Sequence, residues 1–132
     1  MKMNKRAKAT LRFLPPLIWM GFIFYLSSRQ KIAVSSHYWI SFFIFKSLHI
    51  IEYGILFLLW YWALGENKKG VRIAAWLAII YGLSDEIHQG FVPTREGRVR
   101  DILIDALGVW LFYRYLLPLW PKKTVVKKDK NN

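Results

Sequence analysis

The chain has no cysteine. That removes a disulfide framework, a thiolate metal site and a cysteine nucleophile, and it leaves the redox compartment undetermined because nothing is present to oxidise. Acidic residues are also scarce: eight Asp and Glu stand against twenty Lys and Arg, for a formal net charge of +12. Such an excess raises nucleic acid as a partner, but the location of the charge argues against it. Lys2, Lys5, Arg6, Lys8 and Arg12 precede the first apolar run, and Lys122, Lys123, Lys127, Lys128 and Lys130 follow the last. Basic flanks of this kind mark the cytoplasmic ends of membrane spans, where they also meet anionic headgroups. Glycine-rich phosphate loops, serine-triad signals and dinucleotide fingerprints are absent, and there is no internal repeat. Any chemistry falls to His, carboxylates, hydroxyls or Arg.

What is abundant is apolar surface. In 132 residues, 55% are hydrophobic and 17% aromatic, which is too short for two ordinary domains and too apolar for a small soluble one. The expected class is all-α, an integral membrane bundle of four transmembrane helices over residues 11–120, between a basic tail (1–10) and a lysine-rich tail (121–132). A first span runs from Leu11 to Ser28, with Pro15 and Pro16 near its start. Its basic preface resembles a signal peptide, but no small-residue cleavage pattern follows. The aromatic stretch His37 to Phe45 suits the headgroup boundary, and a second span runs from Lys46 to Leu64. After the turn Gly65 to Gly70, a third span covers Val71 to Gln89, stopped by Gly90 and Pro93. Asp101 stands where a helix N-cap is expected, and a fourth span reaches Trp120. Trp39, Trp60, Trp62 and Trp120 read as boundary anchors.

Thirteen of the twenty basic residues fall in the tails and the middle turn, and six in the other two connections. The positive-inside rule then places both termini in the cytoplasm. The polar ends of all four spans gather on the opposite, extracytoplasmic side: Ser27 and Ser28; Lys46, His49, Glu52 and Tyr53; Asp85 to Gln89; Asp101 and Asp105. Burying a charge near the middle of a span costs roughly 2.5 to 3.5 kcal/mol on insertion scales, so these side chains point to function. Positions three and four apart share a helix face. His49, Glu52 and Tyr53 therefore form one stripe, and Asp85, His88 and Gln89 another, with Glu86 reaching Gln89. Asp101, Asp105 and Gly108 form a third. Glu52 lies roughly 9 Å below Lys46 at helical rise, within the hydrocarbon.

The pattern Lys46-x-x-His49-x-x-Glu52-Tyr53, Ser84-Asp85-Glu86-x-His88-Gln89-x-Phe91-x-Pro93-x-Arg95, then Asp101-x-x-x-Asp105-x-x-Gly108 resembles the VanZ family of small bacterial membrane proteins. The resemblance runs from Leu26-Ser27-Ser28 to Gly108. It implies a minimal single-domain membrane protein of the bacterial cell envelope, and a link to low-level resistance to the glycopeptide antibiotic teicoplanin without altered peptidoglycan precursors. It supplies no mechanism.

Three readings of the polar cluster remain open. In one, Arg95, Lys46 and the histidines neutralise the carboxylates and lock the helices together, although such pairs need not add stability. In the second, the extracytoplasmic end binds or acts on an envelope lipid or lipid-linked headgroup. Glu52, Asp85, Glu86 and Asp101 are then catalytic candidates, and Lys46, His49, Tyr53, His88, Gln89, Arg95 and Asp105 are ligand-binding candidates. In the third, a divalent metal sits on His49 and Glu52, or on Asp85 and His88. His37 reads as an interfacial loop residue and Ser84 as bonded to its own helix. Membrane lipids, a lipid-linked envelope precursor or the glycopeptide are the expected partners. A non-enzymatic membrane subunit or transporter-like element is the competing class.

Overall fold

Pro15 and Pro16 set the shape of the first crossing. Neither can donate a backbone hydrogen bond, so the carbonyls of Leu11 and Arg12 lose their helical partners. In the computed structural model, which describes residues 4–30 and 36–121, the chain accordingly forms a short helix α1 (Lys5–Leu11) and restarts as α2 (Leu14–Ser27), with the prolines in its first turn. Proline is well tolerated there because its missing N–H is one of the unpaired donors of a helix start. Lys2, Lys31 and the lysines from Lys122 to Lys130 lie outside the described residues.

Three further helices follow: α3 (Tyr38–Ala63), α4 (Lys68–Gln89) and α5 (Val99–Leu111). The last continues through one π turn (Phe112–Leu116) and a 3-10 turn (Leu117–Leu119). Pro118 cannot donate to the carbonyl of Arg114, so regular α-helix fails there. No strand occurs among the described residues. The fold is all-α, and among the described residues three stretches are long and apolar enough to cross a membrane: Ala7–Ser27, Tyr38–Ala63 and Val99–Leu119.

The fourth, α4, has 22 residues but carries Arg72 at one end and Asp85 and Glu86 at the other, which takes it out of that apolar class. Its faces explain how it still belongs to the bundle. Gly70, Ala74, Ala78 and Gly82, four apart, are all buried and allow close helix approach. Trp76, Ile80, Leu83 and Ile87 form the opposite, exposed stripe, and an apolar face of this width suits lipid better than water.

Two expected boundaries move. The aromatic stretch from Tyr38 to Phe45 is the opening of α3, a single helix of 26 residues. At 1.5 Å per residue it spans about 39 Å, longer than the hydrocarbon core of about 30 Å. Nothing between Tyr38 and Lys46 breaks a helix, so polarity alone gave no reason for a separate segment. The fourth span begins earlier than expected. Arg98 is its N-cap, and Asp101 is its third residue, whose own N–H donates to the Arg98 carbonyl at 2.8 Å.

Successive crossings run antiparallel. The core is Ile23 of α2, Tyr53, Leu56 and Phe57 of α3, Ala74 and Ala78 of α4, and Val109 of α5. Two aromatic donors fasten α2 to its neighbours: Trp19 Nε1 donates to the Glu52 carbonyl at 2.9 Å and Tyr81 Oη to the Met20 carbonyl at 2.6 Å. Gly108 lets α5 lie directly on α3, since a Cβ at that position would strike the Ile50 backbone. This contact brings the first turns of α5 against the Lys46-to-Tyr53 face of α3.

Candidate functional site

The polar residues expected at one end of the bundle do meet there. Asp85 is buried near the end of α4 and accepts three neutral hydrogen bonds, from Ser27 Oγ at 2.5 Å, Gln89 Nε2 at 2.8 Å and Tyr53 Oη at 3.2 Å. Helices α2, α3 and α4 thus converge on one carboxylate. The fifth helix joins through α3: Lys46 Nζ lies 2.6 Å from Asp101 Oδ1, an ion pair without hydrogen-bond geometry. Arg100 Nε is 3.6 Å from the same oxygen. One turn deeper, His49 Nδ1 lies 3.0 Å from Asp105 Oδ1, and Asp105 is only 1% exposed.

Arg95 has a different setting from the one its charge suggests. Its Nε donates to the Arg29 carbonyl at 2.7 Å, Nη2 to the Leu26 carbonyl at 3.1 Å and Nη1 to Gln89 Oε1 at 3.3 Å. A cation over the last carbonyls of α2 satisfies groups that a helix end leaves unpaired and favours the negative pole of its dipole. Arg95 sits in a loop that turns through Thr94 at φ 68°, a left-handed conformation that a β-branched residue adopts only when its surroundings force it. Arg98 spends its side chain on Glu96, and its backbone N–H donates to Glu86 Oε2 at 3.1 Å. That contact needs Gly97, because a Cβ there would strike the Glu86 carbonyl.

Several side-chain readings are revised by these partners. Gln89 serves Asp85, not Glu86. His88 stands aside from the buried cluster: its Nε2 is 2.9 Å from Ser28 Oγ, and its ring stacks on Phe24 with centroids 4.5 Å apart. Tyr53 is fully buried, with its hydroxyl committed to Asp85. Ser84 Oγ donates to the Tyr81 carbonyl at 2.7 Å, as expected of a helical serine, and His37 is the exposed N-cap of α3.

The pairs His49 with Glu52 and Asp85 with His88 do not form a three-ligand group among the described residues. His49, Glu86 and Asp105 do, with one ligand atom of each within 4.8 Å of the others. Helical spacing relates residues of one helix only, whereas α3, α4 and α5 each contribute one member of this group. Ser27 and Gly82 belong to the cluster as well. Ser27 was visible only as the polar end of an apolar span. A Cβ on Gly82 would lie 3.2 Å from Asp105 Oδ2 and from Tyr53, so the glycine makes room for the cluster, and the four-residue repeat from Gly70 was its signal.

Two clefts open beside this cluster. One, of about 430 Å³, lies between α2, α3 and α4. Ile23, Leu26, Phe45 and Leu48 give it apolar walls, and Ser27, Glu52 and Asp85 supply polar groups. The other, of about 220 Å³, is lined by Tyr38, Phe42, Lys46, Arg98, Arg100 and Asp101 beneath the loop before α5. Phe45, His49, Gln89 and Arg95 line both.

A family model described as VanZ/LLP1 matches residues 3–120. The chain is also similar to the Bacillus subtilis (strain 168) protein named Uncharacterized membrane protein YwnJ, with 34% identity over 88 residues, which is 65% of this chain and 59% of that relative's length. No solved structure matches.

Proposed function

The chain belongs to the VanZ/LLP1 family and is a membrane protein, and on that premise we propose that its polar end binds the phosphate-bearing headgroup of an envelope lipid or lipid-linked precursor. The observation that carries this reading is the junction of two unlike clefts at His49, Gln89 and Arg95. Lys46 and Arg100 supply cations and donors suited to a phosphate or carboxylate, while the apolar walls of Ile23, Leu26, Phe45 and Leu48 suit the start of an acyl or prenyl chain. Glu52, half-buried in the larger cleft, and Asp85 would carry any proton transfer to or from the bound group.

In this reading, which the positive-inside count supports, this end faces the outer leaflet and both termini lie in the cytoplasm. There, bound headgroups would change how an amphiphilic glycopeptide such as teicoplanin reaches the bacterial surface. The test is native mass spectrometry of the protein released from bacterial membranes. Retained anionic lipid should fall at least tenfold in Lys46→Gln/Arg100→Gln relative to the parent, and teicoplanin susceptibility should shift with it. Equal lipid retention by both proteins would refute the reading.

The internal bonding favours a second reading, that of a non-enzymatic membrane subunit. Lys46 with Asp101, His49 with Asp105, and Asp85 with its three donors all join one helix to another. In that case the same substitutions would release a partner protein and leave the lipid profile unchanged.

A further inference from the structure

His49, Glu86 and Asp105 come from three different helices, and the geometry points to a binding site for one divalent first-row transition cation, of the Zn²⁺ or Mn²⁺ class, held between their side chains. One ligand atom from each lies within 4.8 Å of the other two. A cation bound at about 2.0–2.2 Å from each ligand would gather them with modest side-chain rotation.

The group is more than a set of neighbouring acids, because two of its oxygens have nothing to do. Glu86 is 3% exposed and Asp105 1%, yet Glu86 Oε1 and Asp105 Oδ2 are buried with no hydrogen-bond partner among the described residues. A buried carboxylate oxygen left unpaired is costly. Neither carboxylate forms an ion pair with a lysine or arginine among the described residues. Once deprotonated, two carboxylates without a lysine or arginine partner match the charge of one divalent ion.

The surroundings meet the other requirements of a metal site. The Arg98 N–H holds Glu86 by its second oxygen, and Asp105 fixes the ring of His49. Gly82 keeps side-chain atoms off Asp105 Oδ2. Entry is open, since His49 lines both clefts. One imidazole with two carboxylates favours zinc or manganese over calcium, which takes six to eight oxygens, and over magnesium, which keeps its waters.

This site goes beyond the headgroup reading and is measured without lipid, so either can fail alone. The full chain, purified in detergent and stripped with a chelator, is titrated with Zn²⁺, Mn²⁺ or Mg²⁺, and bound metal is counted by mass spectrometry. One Zn²⁺ or Mn²⁺ per chain is expected. Affinity should be at least tenfold weaker in Glu86→Gln and Asp105→Asn and unchanged in Glu66→Gln at the other end of the bundle, with helical content by circular dichroism confirming that each is folded. A parent chain that takes up no metal, or takes up Mg²⁺ equally well, would overturn the proposal, the two carboxylates then sharing a proton. Equal binding by parent and Glu86→Gln would do the same. Should the variants not fold, X-ray absorption of the zinc-loaded parent decides: one imidazole among oxygen ligands supports the site, and no imidazole scattering removes it.

Discussion

The two ends of the bundle handle charge in different ways. At the end formed by Arg12, Glu66 and Trp120, a single acid meets a single guanidinium at 3.1 Å. The same Arg12 donates to the Trp62 carbonyl and lies over the Trp62 ring, 4.8 Å from its centroid, and Trp120 Nε1 donates to Glu66 at 3.3 Å. This pair has an evident structural duty: it ties the residues ahead of α2 to the turn after α3 and to Trp120. At the opposite end Glu52, Asp85, Glu86, Asp101 and Asp105 sit together; among the described residues only Asp101 has a lysine or arginine within ion-pair reach, and Asp105 pairs with His49. Arg95, the cation best placed to balance them, is spent on backbone carbonyls. One end is thus fastened by an ion pair, whereas the other holds most of its carboxylates through neutral donors and a histidine.

That difference is most sharply broken by prising α5 from α3. Gly108→Leu puts a side chain into the Ile50 backbone and should cost about 3 kcal/mol as an overpacked contact. It also separates Lys46 from Asp101 and His49 from Asp105. Gly65→Ala, at the turn where φ is +99°, should cost about 1 kcal/mol through backbone strain alone. Thermal unfolding in detergent ranks the two, and equal losses would mean that the α3–α5 contact is not what assembles the acidic end.

Next in size is Asp85→Leu. It strands Ser27 Oγ, Tyr53 Oη and Gln89 Nε2 in a buried place, which should cost about 2 kcal/mol given that single hydrogen bonds within membranes average near 0.6 kcal/mol. Asp85→Asn keeps an acceptor and should lose less than half as much. A loss under 0.5 kcal/mol for Asp85→Leu, on this scale, would show that the three helices do not depend on that carboxylate for their packing.

The all-α class and the gathering of polar ends were legible in the sequence, because apolar runs of span length and same-side charges are one-dimensional signals. So was the VanZ resemblance. The exact company of each side chain was not. Glu86 lies on the same helix as Asp85 and Gln89, yet it accepts from the Arg98 N–H and has the His49–Asp105 pair as neighbours, which only helix packing brings near. Asp101 looked like a cap because it opens the apolar run, whereas Val99 and Arg100 already extend the helix toward the loop. Arg95 reads as an anion ligand from its charge; that it also caps the carbonyls of Leu26 and Arg29 while lining both clefts is not visible in sequence.

The smallest expected effect gives the finest comparison of the two ends. Double-mutant cycles on Arg12–Glu66 and on Lys46–Asp101 measure each ion pair with the rest of the chain held constant. Arg12 and Glu66 have side chains 29% and 9% exposed, and Lys46 and Asp101 17% and 10%. The first pair lies at a bundle end with Trp120 sharing its carboxylate, so its coupling should not exceed about 1 kcal/mol, as for partly solvated pairs in general. The second pair is less solvated and shorter, and Arg100 adds a second cation beside the same oxygen. Its coupling should be the larger of the two and should fall when Arg100 is replaced by Gln. If Lys46 and Asp101 instead coupled more weakly than Arg12 and Glu66, that lysine would be free to leave Asp101 for an incoming anion at little cost, and the acidic end would be looser than its distances indicate.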